Sequence, residues 1–253
     1  MATSARDRRR LRVTALCAAA AFVGGCATTS EYRNPKDPWE PFNRVVFQFN
    51  EDFDTAFLKP VAKGYRAITP APVDRGITNF FENLADVRNT VNNALQFKMA
   101  RAATSVGRIA VNSTVGVLGF MDVASNMNLP KYNEDFGQTL AVWGLPAGPF
   151  VVLPLLGPST GRDTVGLVGD WYADPLTYVD DGGVAWGVKA LRIIDRRADL
   201  LAASKVLEQA ALDPYLFVRD AYLQRRHSDI HDGNPPLAEL EEAEVGESGL
   251  ISK

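Results

Sequence analysis

The most constraining feature of this chain is a stretch of 26 residues, from 136 to 161, without a charged side chain, although 23% of the whole sequence is charged. About 20 consecutive apolar residues are enough for a helix to span the hydrocarbon core of a bilayer. Here, however, nine of the 26 residues are glycine or proline, and a proline inside a helix costs ~3 kcal/mol or more. The stretch therefore does not predict a straight transmembrane helix.

The same stretch predicts a hairpin with two apolar arms. The first arm ends near Trp143, a turn follows around LPAGP, and the second arm runs from Phe150 to Leu156. An arm of about ten helical residues reaches roughly 15 Å, about the depth of one leaflet. Two interpretations are open: a hairpin that dips into a membrane or lines an apolar cavity, and an ordinary hairpin in a protein core. In the first, the residues expected along a lipid path are Trp143, Phe150, Val151, Val152, Leu153, Leu155 and Leu156.

The first 26 residues are organised like a bacterial lipoprotein signal. Five arginines between positions 6 and 12 precede an apolar segment of 11 residues, Val13 to Val23, which is too short to span a membrane but typical of a signal-peptide core. Small residues then lead directly to Cys26, as at sites where a chain is cut before the cysteine and its thiol is acylated. We therefore predict a signal peptide over residues 1–25 and lipidation of Cys26. A plain secretory signal with an incidental cysteine is the alternative.

Cysteine count and charge exclude several classes of function. Cys17 lies inside the predicted signal and Cys26 is the predicted anchor, so the mature chain keeps no thiol for disulfides, metal binding or catalysis. The formal net charge is −3, and the chain that follows the predicted signal has no clustered basic patch, so nucleic-acid binding is not expected. No GxxxxGK[ST] phosphate loop occurs, so the chain is not expected to hydrolyse nucleotide. We expect no cofactor.

The sequence divides into four segments. After the predicted signal, residues 26–36 form a short polar tether, residues 37–233 have the composition of one folded domain, and residues 234–253 form an acidic tail that is typical of disorder. The domain segment is rich in helical periodicity, with amphipathic patterns over 73–95 and 186–209, and it has few convincing strands. The predicted fold class is all-α.

A stripe of aromatic residues follows the sequence DPWEPFNR at 37–44. Phenylalanines at positions 42, 49, 53 and 57 share one face of a predicted helix, together with Val46. Lys59-Pro60 and Thr69-Pro70-Ala71-Pro72 are expected to end this helix. Such a helix packs on a core or, in a lipid-anchored chain, lies in the membrane interface.

Six motifs together resemble the MlaA/VacJ family of outer-membrane lipoproteins, in order and without detectable gaps. They are DPWEPFNR at 37–44, NTVNNALQFK at 89–98, NSTVGVLGFMDVAS at 112–125, EDFGQTLAVWG at 134–144, GPFVVLPLLGPSTGRD at 148–163 and DPYLFVRDAYLQRR at 213–226. From these motifs we carry over, as candidate site residues of the family, Asp37, Pro38, Trp39, Glu40, Pro41, Phe42, Asn43, Arg44, Gly137, Gln138, Gly157, Pro158, Arg162 and Asp163.

The resemblance implies a ring-shaped single domain of amphipathic helices, with the apolar Gly/Pro-rich hairpin at its centre and an amphiphilic channel through its middle. It implies a protein that is lipid-anchored in the outer membrane and embedded in the periplasmic leaflet. Such a protein takes mislocalised phospholipid from the outer leaflet and passes it to a soluble periplasmic carrier of the MlaC type, while bound to a trimeric porin of the OmpC/OmpF type. A polar-lined passage would serve this task, because burying an unpaired ion in hydrocarbon costs many kcal/mol.

Two enzyme-like signals leave other functions open. Residues 157–161, GPSTG, match the G-x-S-x-G nucleophile elbow, and acids and His227 follow in the order of a Ser, Asp, His triad. A lipoprotein esterase or phospholipase that uses Ser159 is therefore an alternative, although the prolines at 154 and 158 and the missing doubly wound sheet argue against it. His227 and His231 have the spacing of half a zinc site but lack the glutamate of HExxH, which favours solvent-exposed histidines.

A third alternative is a structural envelope protein that holds porins or spaces membranes and conducts nothing. The sequence alone does not separate this alternative from transport.

Overall fold

The computed structural model describes residues 34–236, and within this range it describes the backbone but not the side chains of 206–210. The predicted signal peptide, Cys26 and most of the acidic tail lie outside the described residues. The helices and strands are α1 Glu40–Phe53, α2 Lys59–Ile68, α3 Ala71–Leu95, α4 Met99–Thr114, α5 Val123–Asn126, α6 Phe136–Val142, β1 Phe150–Leu153, β2 Gly157–Thr160, α7 Gly161–Ala173, α8 Gly182–Asp199, α9 Leu201–Ala210 and α10 Pro214–Ile230. The all-α prediction is confirmed, with the addition of one two-stranded hairpin.

The first helix does not end at Lys59-Pro60, so this part of the sequence prediction is wrong. Residues 54–58 form a π-helical turn that joins α1 to α2, and the N–H of Lys59 donates to the carbonyl of Asp54, five residues earlier. A proline lacks the N–H of a helical ladder, and its ring clashes with the carbonyl four residues earlier. The wider turn accommodates Pro60 without interrupting the helical segment, which continues to Ile68. We refer to this continuous segment, residues 40–68, as the first rod.

The apolar hairpin is present, but its tip is not at LPAGP as the sequence suggested. Strands β1 and β2 are antiparallel, with Phe150 opposite Thr160 and Leu153 opposite Gly157, so the tip is 154–156. Leu155 and Gly157 take positive φ angles of 63° and 85° to make this tight turn. The second apolar arm is therefore a short strand followed by a turn, and LPAGP is the connection between α6 and β1.

The distribution of side chains is inverted relative to a soluble domain. Among the described residues, 20 polar or charged residues are buried, against 11 hydrophobic ones. Large apolar side chains lie outside instead: Phe42, Phe49 and Phe57 of the predicted stripe are each more than half exposed, whereas Val46 is buried. An extensive apolar exterior marks a surface that meets another protein or a membrane.

The described helices do not include one that is both long enough and apolar enough to cross a membrane. Contact with a bilayer would therefore be made by the sides of amphipathic helices, which can lie in the interface.

A small apolar core lies under the hairpin. It comprises Val46 of α1, Phe150 and Val152 of β1, and Tyr215 of α10. Phe150 and Val152 are only 1% and 2% exposed, because alternate residues of a strand point to the same face. This face of the hairpin is thus a packing surface.

Candidate functional site

Two asparagines of α1 hold the free edge of the hairpin. The amide of Asn43 donates to the carbonyl of Phe150 at 3.1 Å and accepts from the N–H of Val152 at 2.9 Å. The amide of Asn50 makes the same two kinds of bond three residues further along the hairpin. It donates to the carbonyl of Leu153 at 3.0 Å and accepts from the N–H of Leu155 at 2.7 Å. Asn43 and Asn50 are therefore bonded to β1 as a neighbouring strand would be.

The spacing of the two asparagines explains why one helix can do this. Seven residues are about two helical turns, or roughly 10.5 Å of rise. Three residues of strand, from Phe150 to Leu153, advance roughly 10 Å. The two repeats coincide, so the helix presents an amide wherever the strand presents an unpaired N–H and C=O. We refer to Asn43, Asn50 and β1 as the asparagine clamp.

The family-motif residue Asp37 connects the asparagine clamp to α10. Its buried carboxylate accepts from the Asn43 amide at 2.8 Å and from the Tyr215 hydroxyl at 2.5 Å, and Arg219 lies 3.5 Å away. Burial and the Asp37 carboxylate both raise the pKa of Tyr215, so its hydroxyl stays protonated and donates. The start of the domain is thus tied to α10.

Arg44 makes the second tie between α1 and α10. It bonds to Glu40 at 2.8 Å and to Asp213 at 2.9 Å, and its guanidinium stacks 4.4 Å above the Tyr215 ring. The hydrogen bond from Arg44 lowers the pKa of Asp213. Pro41 lies in the first turn of α1, where a missing N–H has no cost. The other motif residues of this segment, such as Trp39 and Phe42, face outwards and are half exposed.

A second polar clamp lies on the other side of the hairpin, around Arg226 of α10. Its guanidinium bonds to both oxygens of Asp135 at 2.5 and 2.6 Å and to both oxygens of Asp163 at 2.9 Å. Burial raises the pKa of Asp135, but hydrogen bonds and charge from Arg226 outweigh it and hold that pKa at about 2. We call Arg226, Asp135 and Asp163 the arginine clamp.

Glycine makes the arginine clamp sterically feasible. A Cβ on Gly137 would lie 2.4 Å from Nη2 of Arg226, and a Cβ on Gly166 would lie 2.6 Å from the backbone N of Gly137. Helices α6 and α7 therefore approach each other closely, and each begins at a capping residue, Asp135 and Thr160 respectively.

The remaining motif residues of the central stretch divide between the arginine clamp and the hairpin. Gln138 is buried and donates to Asp135, and Arg162 is buried against Asp163. In β2, Gly157 pairs with Leu153 beside the hairpin tip, and Pro158 pairs with Val152 of β1. Sequence reasoning named Asp163 and Gly137 but not Arg226, because the arginine is 63 residues from the nearer of its two carboxylates.

The residues expected along a lipid path separate into two groups. Phe150 and Val152 are in the core, so the structure favours the ordinary packed-hairpin interpretation for this face. Trp143, Leu155 and Leu156 are 54%, 58% and 70% exposed. Val151 and Leu153 are partly buried. Among these seven residues, the exposed apolar side chains are therefore those at the hairpin tip and at the end of α6.

An open hollow of about 520 Å³ lies along the polar side of the first rod. Its lining residues recur at spacings of three and four, so they share one helical face, and five of the six are polar or charged. They are Gln48, Glu51, Asp52, Thr55, Ala56 and Lys59. The rod is therefore two-faced, with the polar hollow on one side and exposed phenylalanines on another.

A buried polar network ties α3 to α4. Arg108 bonds to Asp86 at 3.1 Å with both side chains almost fully buried, and it also reaches Asp122 at 3.2 Å. Asn112 bonds to Asp122 at 3.1 Å. Charges buried to this extent are retained only when paired. The periodicity of apolar residues did not reveal this network, because its members are polar.

Ser159 does not have the geometry of an activated nucleophile. It lies in β2 and is only 5% exposed, and its hydroxyl bonds to the Thr160 carbonyl at 3.3 Å and to the Thr164 hydroxyl at 3.0 Å. It is not among the residues with positive φ. A nucleophile elbow instead exposes its serine on a strained turn.

The rings of His227 and His231 lie next to each other, inclined at 56°. Their rings are 4.7 Å apart, and Nδ1 of His231 lies 2.9 Å from the carbonyl of His227. In the described range, 34–236, no group of three or more His, Cys, Asp or Glu side chains is arranged to hold a metal ion.

Comparison with known proteins agrees with this geometry. A family model described as MlaA lipoprotein matches residues 35–229, which is most of the chain. The chain belongs to the MlaA lipoprotein family. Among its MlaA relatives, the intermembrane phospholipid transport system lipoprotein MlaA of Escherichia coli K12 is 35% identical over 230 residues, which is 88% of this chain and 90% of that protein. An uncharacterised protein of Rickettsia felis is 35% identical over 195 residues, 77% of this chain and 78% of its own.

The fold of the MlaA family is also recognisable in three dimensions. A solved structure from work on the structural basis for maintenance of bacterial outer membrane lipid asymmetry superimposes with a TM-score of 0.68 at 34% identity, covering 80% of this chain and 100% of the solved one. The family resemblance drawn from the six motifs is therefore confirmed. The MlaA relatives are named as components of transport rather than as enzymes.

Proposed function

We propose that this protein removes mislocalised phospholipids from the outer leaflet of the outer membrane and passes them through a channel to a periplasmic carrier, and so maintains lipid asymmetry. The observation that carries the proposal is the inverted fold: a polar, hydrogen-bonded interior inside an exterior rich in exposed apolar side chains. The E. coli relative, named for intermembrane phospholipid transport, supports the same role.

The polar hollow is the proposed start of the headgroup path. A phospholipid that changes leaflets must move its charged headgroup past hydrocarbon, which is costly unless polar groups replace water. The stripe from Gln48 to Lys59 offers carboxylates, an amide, a hydroxyl and an ammonium along about three turns of one helix. The exposed phenylalanines of the same rod would meet acyl chains. This division of faces favours a ring with an amphiphilic channel.

Attachment and partners complete the proposal. Residues 1–25 act as the signal peptide, Cys26 carries the lipid anchor, residues 26–36 are the tether and residues 234–253 are an acidic tail. The domain is embedded in the periplasmic leaflet. A trimeric porin of the OmpC/OmpF type would cover part of the apolar exterior, and a carrier of the MlaC type would receive the phospholipid. The exposed side chains support an embedded position, because a monomeric soluble domain rarely leaves so many large apolar groups in water.

Replacing the predicted anchor tests the attachment. Cys26→Ala should yield uncleaved precursor or protein lost from the outer-membrane fraction, because without its lipid the chain keeps only amphipathic helices as membrane contacts. In a deletion strain, this variant should leave phospholipid in the outer leaflet at the level of the deletion. Cys17→Ala, in the apolar core of the predicted signal, is the matched control and should mature normally. Normal fractionation and asymmetry with Cys26→Ala would contradict the lipoprotein assignment.

A second substitution separates transport from lipid hydrolysis, the alternative that the GPSTG sequence raised. Ser159→Ala should leave outer-leaflet phospholipid at the wild-type level, since the substitution removes one hydroxyl contact worth about 1 kcal/mol. Purified wild-type protein should release no fatty acid from phospholipid vesicles. Fatty-acid release that disappears in Ser159→Ala would favour a lipoprotein esterase or phospholipase.

A further inference from the structure

A second cleft, separate from the polar hollow, lies between α3, α6 and α7. Its volume is about 310 Å³. One side chain of its lining, that of Asn92, is an amide, and the others are apolar or aromatic. The lining residues are Val91, Asn92, Leu95, Phe136, Gly169, Tyr172 and Ala173. Val91 and Tyr172 are 40% and 60% exposed, so the cleft is open to the surroundings.

The walls of this cleft are held in place by specific contacts. The N–H of Phe136 donates to Asp170 at 2.9 Å, and its ring packs edge-on against Trp143 at 5.9 Å. The indole N–H of Trp143 in turn donates to the carbonyl of Leu95 at 3.1 Å. A Cβ on residue 169 would lie 2.4 Å from the Phe136 ring, so Gly169 is what lets this ring approach α7. The cleft is therefore preformed rather than a gap between loose side chains.

A cation borders one end of the cleft. Arg88 precedes Val91 and Asn92 by three and four residues on α3, so it lies one turn away on the same helical face. Its side chain is 37% exposed, and its Nε lies 4.0 Å from Asp170, beyond hydrogen-bond distance. The Asp170 carboxylate is already bonded to the N–H of Phe136 and to the amide of Asn92 at 3.3 Å.

Among the described residues, Nε of Arg88 has no hydrogen-bond partner although it is buried. The charge of Arg88 is balanced by Asp170 only across a long ion pair of 4.0 Å. Because Nε itself is buried, the exposed 37% of the side chain lies elsewhere on it, and this exposed part is what an anion beside the apolar cleft would contact. An amphiphile matches this arrangement, because its anionic group can bind Arg88 while its apolar chain lies in the cleft.

We propose that the cleft binds one acyl chain of a phospholipid and that Arg88 binds its phosphate. This proposal rests on the proposed transport function and assigns a place in the protein where the transported phospholipid binds. The volume is at the lower end of ligand pockets, which suits a single chain rather than both chains of a phospholipid. An Arg–phosphate contact is charge-assisted and fixes the orientation of the headgroup.

Photolabelling of the reconstituted full-length mature protein tests this site. Vesicles of phosphatidylethanolamine and phosphatidylglycerol would carry a trace of phosphatidylglycerol with a diazirine in one acyl chain, and labelled peptides would be found by mass spectrometry. We expect labelling concentrated on the peptides that contain Val91, Leu95 and Tyr172. Excess inorganic phosphate should not displace the probe, because the chain supplies much of the binding.

Two pairs of variants make the test specific. Arg88→Gln should lower labelling of the cleft about tenfold, because it removes a charge-assisted hydrogen bond, whereas Arg75→Gln should not, since Arg75 is an exposed arginine of the same helix that bonds to the Ala71 carbonyl. Val91→Trp should fill the cleft and abolish labelling. Val106→Trp, at a half-exposed position on α4, should leave it unchanged.

Different results would contradict the lipid site and the proposed transport function. Labelling spread evenly over the apolar exterior, labelling unchanged in Arg88→Gln, or displacement by inorganic phosphate alone would overturn the site, even if the protein still lowers outer-leaflet phospholipid in cells. Labelling that follows both variant pairs would support the site, even if a complemented deletion strain fails to restore lipid asymmetry, a result that contradicts the transport function instead.

Discussion

Arg226→Leu is expected to destabilise the domain by about 3–5 kcal/mol, because it leaves Asp135 without its cation and Asp163 with Arg162 as its remaining cation. Asp135 and Asp163 each accept two hydrogen bonds from this arginine, and Asp163 is 7% exposed. A loss of this size is a large part of the 5–15 kcal/mol that stabilises a typical domain. Thermal unfolding of the detergent-solubilised protein, followed by circular dichroism, measures it.

The adjacent residue provides the matched control. Arg225 is 79% exposed and pairs with Asp229 at 3.7 Å, four residues along the same helix. Such surface pairs contribute about 0.3–0.5 kcal/mol, so Arg225→Leu should unfold close to the wild-type temperature. Equal effects of the two leucine variants would show that the arginine clamp is not a stabilising centre.

The pH dependence of the same unfolding measurement has a definite sign. The folded protein holds the pKa of Asp135 at about 2, below the ordinary aspartate value of 3.8. A lowered pKa stabilises the fold when the group is ionised in both states, so this contribution of about 2 kcal/mol is complete only above about pH 5. It should be lost as the pH falls from about 5 towards 2. Arg226→Leu should lack this acid-sensitive component.

A second large effect is expected from a charge placed on the inner face of the hairpin. Val152→Asp should prevent folding or lead to degradation, because position 152 is 2% exposed and packs in a core with Phe150, Val46 and Tyr215. An unpaired buried carboxylate costs several kcal/mol in practice. The amount of protein in the membrane fraction, measured by immunoblot, reports the loss.

The exposed tip of the same hairpin should respond differently. Leu155 is 58% exposed, so Leu155→Asp should leave the fold intact and accumulate normally. If the tip lies in an apolar environment, a carboxylate there costs up to about 2.5–3.5 kcal/mol and should raise outer-leaflet phospholipid. Normal accumulation of Val152→Asp would contradict the core assignment, and full function of Leu155→Asp would place the tip in water.

The parts of the fold that the sequence predicted are those that depend on local patterns. The helical periodicity of 73–95 predicted α3, which begins at Ala71, and DPWEPFNR marked the start of α1. The hairpin tip was misplaced because LPAGP also has turn residues, whereas the actual turn needs Leu155 at positive φ, a conformation that glycine usually supplies. The length of the first rod was missed because a π-helical turn absorbs Pro60.

The contacts that define the two clamps could not be predicted from local patterns. Asn43 and Phe150 are 107 residues apart, and Arg226 and Asp135 are 91 apart. The sequence did single out Asn43 and Asp163 through family motifs, but it gave no reason for an asparagine to act as a substitute strand. The buried asparagines and charges also defeat a core prediction based on hydrophobicity, since this interior is largely polar.

The most direct test of the account concerns the polar hollow, which is the proposed start of the headgroup path. Gln48→Trp would place a bulky ring in the hollow, whereas Phe49→Trp changes the next residue, which points about 100° away on the exposed aromatic face. Outer-leaflet phospholipid would be measured in a deletion strain expressing each variant at equal levels. The account predicts that Gln48→Trp leaves phospholipid as high as in the deletion strain and that Phe49→Trp restores the wild-type level. Full restoration by Gln48→Trp would contradict it.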